Sequence, residues 1–360
     1  MKKSLLLVSL LVLLVAVSYK SNAQGCVAIR STGGMGIHHA DSASGKGSWE
    51  LGINNRYYKS YKHFVGTEEQ KERVDSGTNI INHQYTLDIA LTKTINSRWS
   101  VAIDVPIAAN ARSQTYTQDG LRHRFSTHSF GVGDIRLSVY RWLLNPATSW
   151  RGNIQVGLGI KLPTGDYKVQ DYFATSDTTS TLRTIDQSIQ LGDGGTGFTA
   201  EVNAYYNLSR TVSVYGNFYY LLNPRDHNGV LRSPTPSAND IKYHTDVMSV
   251  PDQYLLRGGV NINADKFTFS AGVRYERLPA HDLIGGNKGF RRPGYILSAE
   301  PGINYKLGNV SLYAYVPVAL VRNRVQSVSD IQRSIDTKTH VQGDAAFADY
   351  AVNIGATFRF

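Results

Sequence analysis

A single cysteine, Cys26, in 360 residues excludes an internal disulfide and any cysteine-based metal site. Long apolar runs are equally scarce. The one present, Leu5 to Val17, falls short of the roughly 20 residues that a helix needs to cross a bilayer, so a helical membrane protein is excluded. Clusters of one charge are missing too: 38 Lys and Arg are interspersed with 28 Asp and Glu, which removes the counterion-release footprint of a nucleic-acid binder. No linker or break in composition divides the chain, so one domain is expected after its leader.

What is present is concentrated at the two ends. Lys2 and Lys3 precede the apolar run, and Ser21-Asn22-Ala23 supplies the small residues of a cleavage point, so residues 1–23 read as a signal peptide. The Asn22-Ala23-Gln24 junction is similar to those of secreted proteins of Bacteroidetes. A competing reading makes Cys26 a lipid-modified N-terminus. Residues 24–47, with Gly33-Gly34 and Gly36, form a periplasmic segment long enough to enter a barrel as a plug. At the other end Tyr350, Val352, Ile354, Ala356, Phe358 and Phe360 alternate with polar or small residues. An apolar face maintained to an aromatic carboxyl terminus is the finish of an outer-membrane β-barrel, and it is the expected handle for the barrel-assembly machinery.

Between these ends, period-two alternation predicts about twelve long strands: 48–60, 80–95, 98–112, 127–142, 150–163, 196–208, 211–223, 253–264, 266–278, 293–307, 309–322 and 346–360. Tight turns at Asn96-Ser97, Asn145 to Thr148, Ser209-Arg210, Ala264-Asp265 and Gly308 alternate with long polar connections. The expected fold is therefore all-β, a transmembrane antiparallel barrel over residues 48–360 with short periplasmic turns, long extracellular loops and both termini in the periplasm. Outward stripes such as Trp99, Val101, Ile103, Val105 and Ile107 are free of charge. The opposite faces carry Glu50, Arg56, Asp88, Arg98, Asp104, Arg112, Asp134, Arg136, Lys161, Glu201, Arg257, Arg274, Glu276, Glu300, Lys306, Asp349 and Arg359, which are expected to line the lumen. A charge facing lipid at midplane would cost about 2–4 kcal/mol. A secreted β-sandwich is the alternative, but its strands usually run about 5–6 residues.

Two motifs add a resemblance. Phe130-Gly131-Val132-Gly133-Asp134-Ile135-Arg136-Leu137 and Val156-Gly157-Leu158-Gly159-Ile160-Lys161-Leu162-Pro163-Thr164-Gly165-Asp166-Tyr167, followed by the Gly-rich Leu191 to Gly197, resemble the outer-membrane transporter-like proteins named for the meta-cleavage pathway of phenol degradation. The match covers about residues 125–225. It implies passage of small, aromatic or apolar compounds across the outer membrane. The residues themselves read as shape devices, with glycines for close approach and Pro163 ending a strand.

Chemistry beyond this is thin. His128 and Ser129 are neighbours on one strand and point to opposite faces, so they cannot act together as base and nucleophile. His38, His39 and Asp41, or His227, His244 and Asp246, lack a fixed ligand spacing, and no catalytic residue, metal or cofactor is expected. The expected function is passive or gated passage of small molecules, with outer-membrane lipid and small solutes as partners. The alternatives are a barrel-anchored surface protein whose loops bind ligands, and an interfacial lipid-modifying enzyme.

Overall fold

A computed structural model describes residues 47–360; the leader, Cys26 and nearly all of the expected plug lie outside the described residues. Fourteen strands form the wall: β1 (Trp49–Val65), β2 (Ile81–Thr94), β3 (Trp99–Gln118), β4 (Leu121–Val132), β5 (Arg136–Trp142), β6 (Gly152–Lys161), β7 (Gly197–Asn207), β8 (Val212–Leu222), β9 (Gln253–Ala264), β10 (Phe267–Leu278), β11 (Gly294–Leu307), β12 (Val310–Tyr315), β13 (Val318–Asn323) and β14 (Ala345–Arg359). Because β4 with β5, and β12 with β13, each make one interrupted stave, the result is a closed antiparallel barrel of 12 staves. Closure is by β14 against β1, with Glu50 opposite Arg359 and Phe64 opposite Ala345. No helix among the described residues is long and apolar enough to cross a membrane.

The wall inverts the usual burial rule. Its exposed face carries Val101, Ile103, Val139, Leu158, Val260 and Leu312, whereas Asp88, Asp104, Arg136 and Glu300 are buried on the inner face. Such a surface needs lipid around it. Aromatic rings bracket the apolar band. At the short-turn end stand Trp49, Trp99, Trp150, Phe267 and Phe360. At the loop end Tyr220, Tyr254, Tyr275 and Tyr295 form a ladder across four strands, with centroid spacings of 5.7, 6.1 and 5.4 Å.

Three differences from the expected layout have physical causes. The predicted connection Ser113–Ser126 is not a long polar loop, because β3 and β4 continue as a hairpin to Asp119 and Gly120. Both turn residues have positive φ, 51° and 78°, the signature of a type I′ turn. The predicted strand 127–142 is broken at Gly133-Asp134-Ile135. Val132 pairs with Ile107 and Arg136 with Asp104, so three residues face two, as in a bulge. Pro106, which has no N–H to give, sits opposite the break and only accepts, from Gly133 at 2.8 Å. The predicted strand 309–322 is interrupted at Val316-Pro317 for the same reason.

Candidate functional site

The inner wall near its middle is a floor of paired charges. Arg136 reaches Asp104 at 2.6 Å and Glu201 at 3.8 Å, and Tyr140 donates to Glu201 at 3.1 Å. Asp88 accepts from Asn54 at 3.4 Å beside Arg56 and Asp104. Across the bore, Glu300 receives Arg257 and Arg274, each at 3.2 Å, and Arg274 also holds Glu276 at 2.8 Å. Arg136 lies 5.3 Å from the Tyr219 ring centroid and Arg257 5.6 Å from that of Tyr315, so aromatic rings fill space between the charges. These charged side chains are all nearly inaccessible to solvent. The bore is shut at this level.

The remaining residues expected in the lumen are distributed differently. Glu50 and Arg359 pair at 2.7 Å at the short-turn mouth. Arg112 and Lys161 point inward above the floor, and Asp134 occupies the break between β4 and β5. One expectation is corrected: Arg98 lies in the turn between β2 and β3, outside both strands, and is exposed. Lys306 keeps the inner-face register, in line with Ser311 and Thr357, and is exposed at the rim. Asp349 stands apart from the network, at a bulge between β1 and β14 where Tyr61 donates at 2.9 Å and Lys62 at 3.3 Å.

Above the floor is a cavity of about 130 Å3, bounded by Arg136, Tyr219, Asn110 and Gln84 below and by loop residues Gln187, Gln190, Leu191, Met248, Arg291 and Arg292 above. The roof comes mainly from the connection between β6 and β7. There Asp186 caps a short 3-10 turn, Gln187–Ile189, by accepting from the Ser188 amide. The same carboxylate takes a two-pronged contact from Arg292, at 2.9 and 2.8 Å, and faces Arg112 of the wall at 3.4 Å. Burial disfavours its charge, yet Arg112 and Arg292 hold the Asp186 carboxyl well below the usual carboxylate range. Asp186 is thus a latch joining wall, roof and a second loop. Gln187 adds a donor to the Ser249 carbonyl at 2.6 Å.

The cavity reaches the wall where β4 leaves its neighbour. Below the break β5 pairs with β6, but β4 pairs only with β3. The gap is filled by loop groups: Thr164 accepts from Ile135 at 2.8 Å and donates to Gly133 at 2.9 Å, while Lys161 bonds Asp134 and Asp193. Leu191 closes the window. Gly133 has space for no side chain without displacement, since a Cβ there would lie 3.1 Å from both the Leu191 carbonyl and Pro106. Outside the window Phe130 and Leu158 are 78% and 71% exposed. The sequence singled out the glycine motifs and the Leu191 to Gly197 stretch but not Asp186 or Arg292, whose only signal was position in long loops.

Among the described residues no His, Cys, Asp and Glu group is gathered to hold a metal. His227 faces Asp226 at 3.7 Å. His128 faces Asp171, and Ser129 donates to the Ile189 carbonyl on the opposite side of the strand.

No family model and no curated protein matches the chain. Among solved structures it is similar to the COG4313 outer membrane channel from Pseudomonas putida F1, with 11% identity and a TM-score of 0.57, over 88% of this chain and 97% of that one. Other similar structures are the TodX monoaromatic hydrocarbon channel (9% identity, TM-score 0.42, 95% of this chain and 99% of that one) and a Pseudomonas aeruginosa FadL homologue (10%, 0.41, 94% and 97%). The first of these likenesses shows the barrel fold; the TM-scores of the other two are too low to argue from.

Proposed function

We propose that this barrel sits in a bacterial outer membrane, loops outward and termini in the periplasm, and conducts small molecules from the loop side into the roofed cavity. They leave sideways through the break between β4 and β6. The observation that carries this reading is the coincidence of three features: a shut floor, a cavity, and a wall strand that parts from its neighbour at the cavity's edge. The cavity, near the size of the ~150 Å3 void known to admit benzene, and its apolar walls at Leu191, Leu221, Met248 and Leu278 suit a single-ring, largely apolar solute. The sequence resemblance to aromatic-pathway transporters supports the same class.

Planar-bilayer recording and solute uptake test this together. Little steady ion current is expected, because the floor is closed to hydrated ions, while cells expressing the chain accumulate radiolabelled toluene faster than cells without it. A large steady conductance would favour an open bore. The ion-paired floor also suits a mere anchor for binding loops, and absence of both current and uptake from folded protein would select that reading.

A further inference from the structure

Cross-strand register places the outward side chains in rows. One row runs Lys59 on β1, His83 on β2 and Ala111 on β3; the next runs Tyr57, Tyr85 and Ala109; below that come Asn55, Leu87 and Ile107. The first row faces away from the bore and is exposed at Lys59 and His83. Tyr57 shares a hydrogen bond of 2.8 Å with His83 Nδ1, and the Lys59 ammonium lies 5.0 Å from the Tyr61 ring centroid. Lys59 forms no ion pair among the described residues. His128 on β4 prolongs the row, but Asp171 lies 3.5 Å from its Nδ1, so the site is the Lys59 ammonium with the His83 ring beside it.

The height of this row identifies its surroundings. Lys59 is ten residues along β1 from Trp49, and His83 is ten from Lys93, which is itself paired with Trp49. At about 3.3 Å per residue and a tilt of 35–45°, ten residues rise about 25 Å, the height of the apolar band of a membrane barrel. Lys93, 4.5 Å from the Trp49 ring centroid, marks one boundary of the band, and Lys59 with His83 marks the other. At that boundary lipid phosphates lie against the wall.

We propose that Lys59 and His83 form a binding site for the phosphate of an outer-leaflet lipid, whose acyl chains lie over Tyr85, Ala109, Leu87 and Ile107. An ammonium that meets an aromatic ring but forms no ion pair among the described residues has little reason to stand on the lipid face of a barrel unless an anion meets it. The two short side chains, Ala109 and Ala111, leave a shallow step beside the aromatic rings for the chains to follow. The site rests on the outward orientation of the loops proposed above, but not on transport.

Native mass spectrometry of the detergent-solubilised full chain tests it, with bisphosphorylated lipid A, dephosphorylated lipid A and inorganic phosphate as probes. The phosphorylated lipid is expected to bind more tightly than its dephosphorylated form, and Lys59→Gln is expected to weaken it about fivefold, with a further loss in Lys59→Gln/His83→Gln. Both positions are exposed, and unchanged gel mobility of unheated samples verifies that the variants are folded. Equal binding of the two lipids, or full binding by the double variant, would overturn the site. So would displacement by inorganic phosphate at equal concentration, since the recognised group would then be the free ion. Toluene uptake by the double variant is expected to match the parent, which separates this proposal from the transport reading.

Discussion

Arg274→Met is expected to destabilise the folded barrel by about 3–5 kcal/mol, the usual consequence of removing one partner from a buried ion pair. The Arg274 side chain is 4% exposed and bridges Glu276 and Glu300, so its loss takes from Glu276 the cation at 2.8 Å and from Glu300 one of its two, in a water-poor bore. Methionine preserves the volume, which keeps the effect electrostatic. Adding Glu276→Gln to Arg274→Met is expected to recover much of the loss, because a neutral amide carries a far smaller desolvation penalty, while Glu300 keeps Arg257 at 3.2 Å as its partner. Denaturant unfolding in detergent micelles measures both. A cost below about 1 kcal/mol, the range of hydrated surface pairs, would mean that the floor is wet and the bore open.

Asp186→Asn is expected to release the roof. The carboxylate is replaced by a nearly isosteric amide that still caps the Gln187–Ile189 turn but no longer attracts Arg112 and Arg292 as a charge. Hydrogen bonds to charged groups contribute about 1.5–3 kcal/mol, so the open fraction is expected to rise about 10- to 100-fold. A cysteine at Met248, 1% exposed on the cavity wall, reports opening through labelling by a membrane-impermeant maleimide in a Cys26→Ser background, normalised to an exposed control cysteine. The sign of the pH effect follows from the same contacts. The folded carboxyl is held below its ordinary value, so the latch is at full strength above the unfolded value of about 4 and weakens only as pH falls through the lower folded value. Normalised labelling of the parent is therefore expected to stay flat from about pH 8 to pH 5, and that of Asp186→Asn to be high throughout. Parent-like labelling in Asp186→Asn would remove the latch from the account.

Much of the architecture was legible in the sequence because a membrane barrel exaggerates the period-two signal. Leu51, Ile53, Trp99 and Val101 must meet lipid, while Asp88 and Arg136 must not, so alternation survives along whole strands. The interruptions were not legible as such. Gly133-Asp134 continues the alternation on paper, and only the pairing of β3 shows that Pro106 stands opposite it without a donor. The Asp119-Gly120 turn carried a hairpin signal of the strongest kind, yet Arg122, His123 and Arg124 obscured it by making the flanking strands polar. Those residues lie beyond the apolar band, where polarity costs nothing, and both arginines bond carbonyls of the β1–β2 connection. The lumen charges were recognisable one strand at a time, but their pairing was not. Whether Arg257 meets Glu300 depends on the register of β9, β10 and β11, which sets Arg257 opposite Arg274 and Glu300 opposite Gly272.

The cavity's roof was the least visible part. Asp186, Leu191 and Arg292 acquire meaning only when two loops distant in sequence fold over the same opening, and no local spacing encodes that meeting. The glycine motifs noticed in the sequence mark the rim instead, where backbone must pass close to Leu191.

The most direct test of the sideways route is the rate of toluene uptake by cells carrying the parent chain, Leu191→Ala or Gly133→Phe. Leu191→Ala removes the side chain that closes the window, and Gly133→Phe places a ring at the junction of cavity and break. The account predicts uptake above the vector control for the parent, faster uptake for Leu191→Ala, and a return to the control rate for Gly133→Phe despite a folded barrel. Parent-like uptake by folded Gly133→Phe would contradict it.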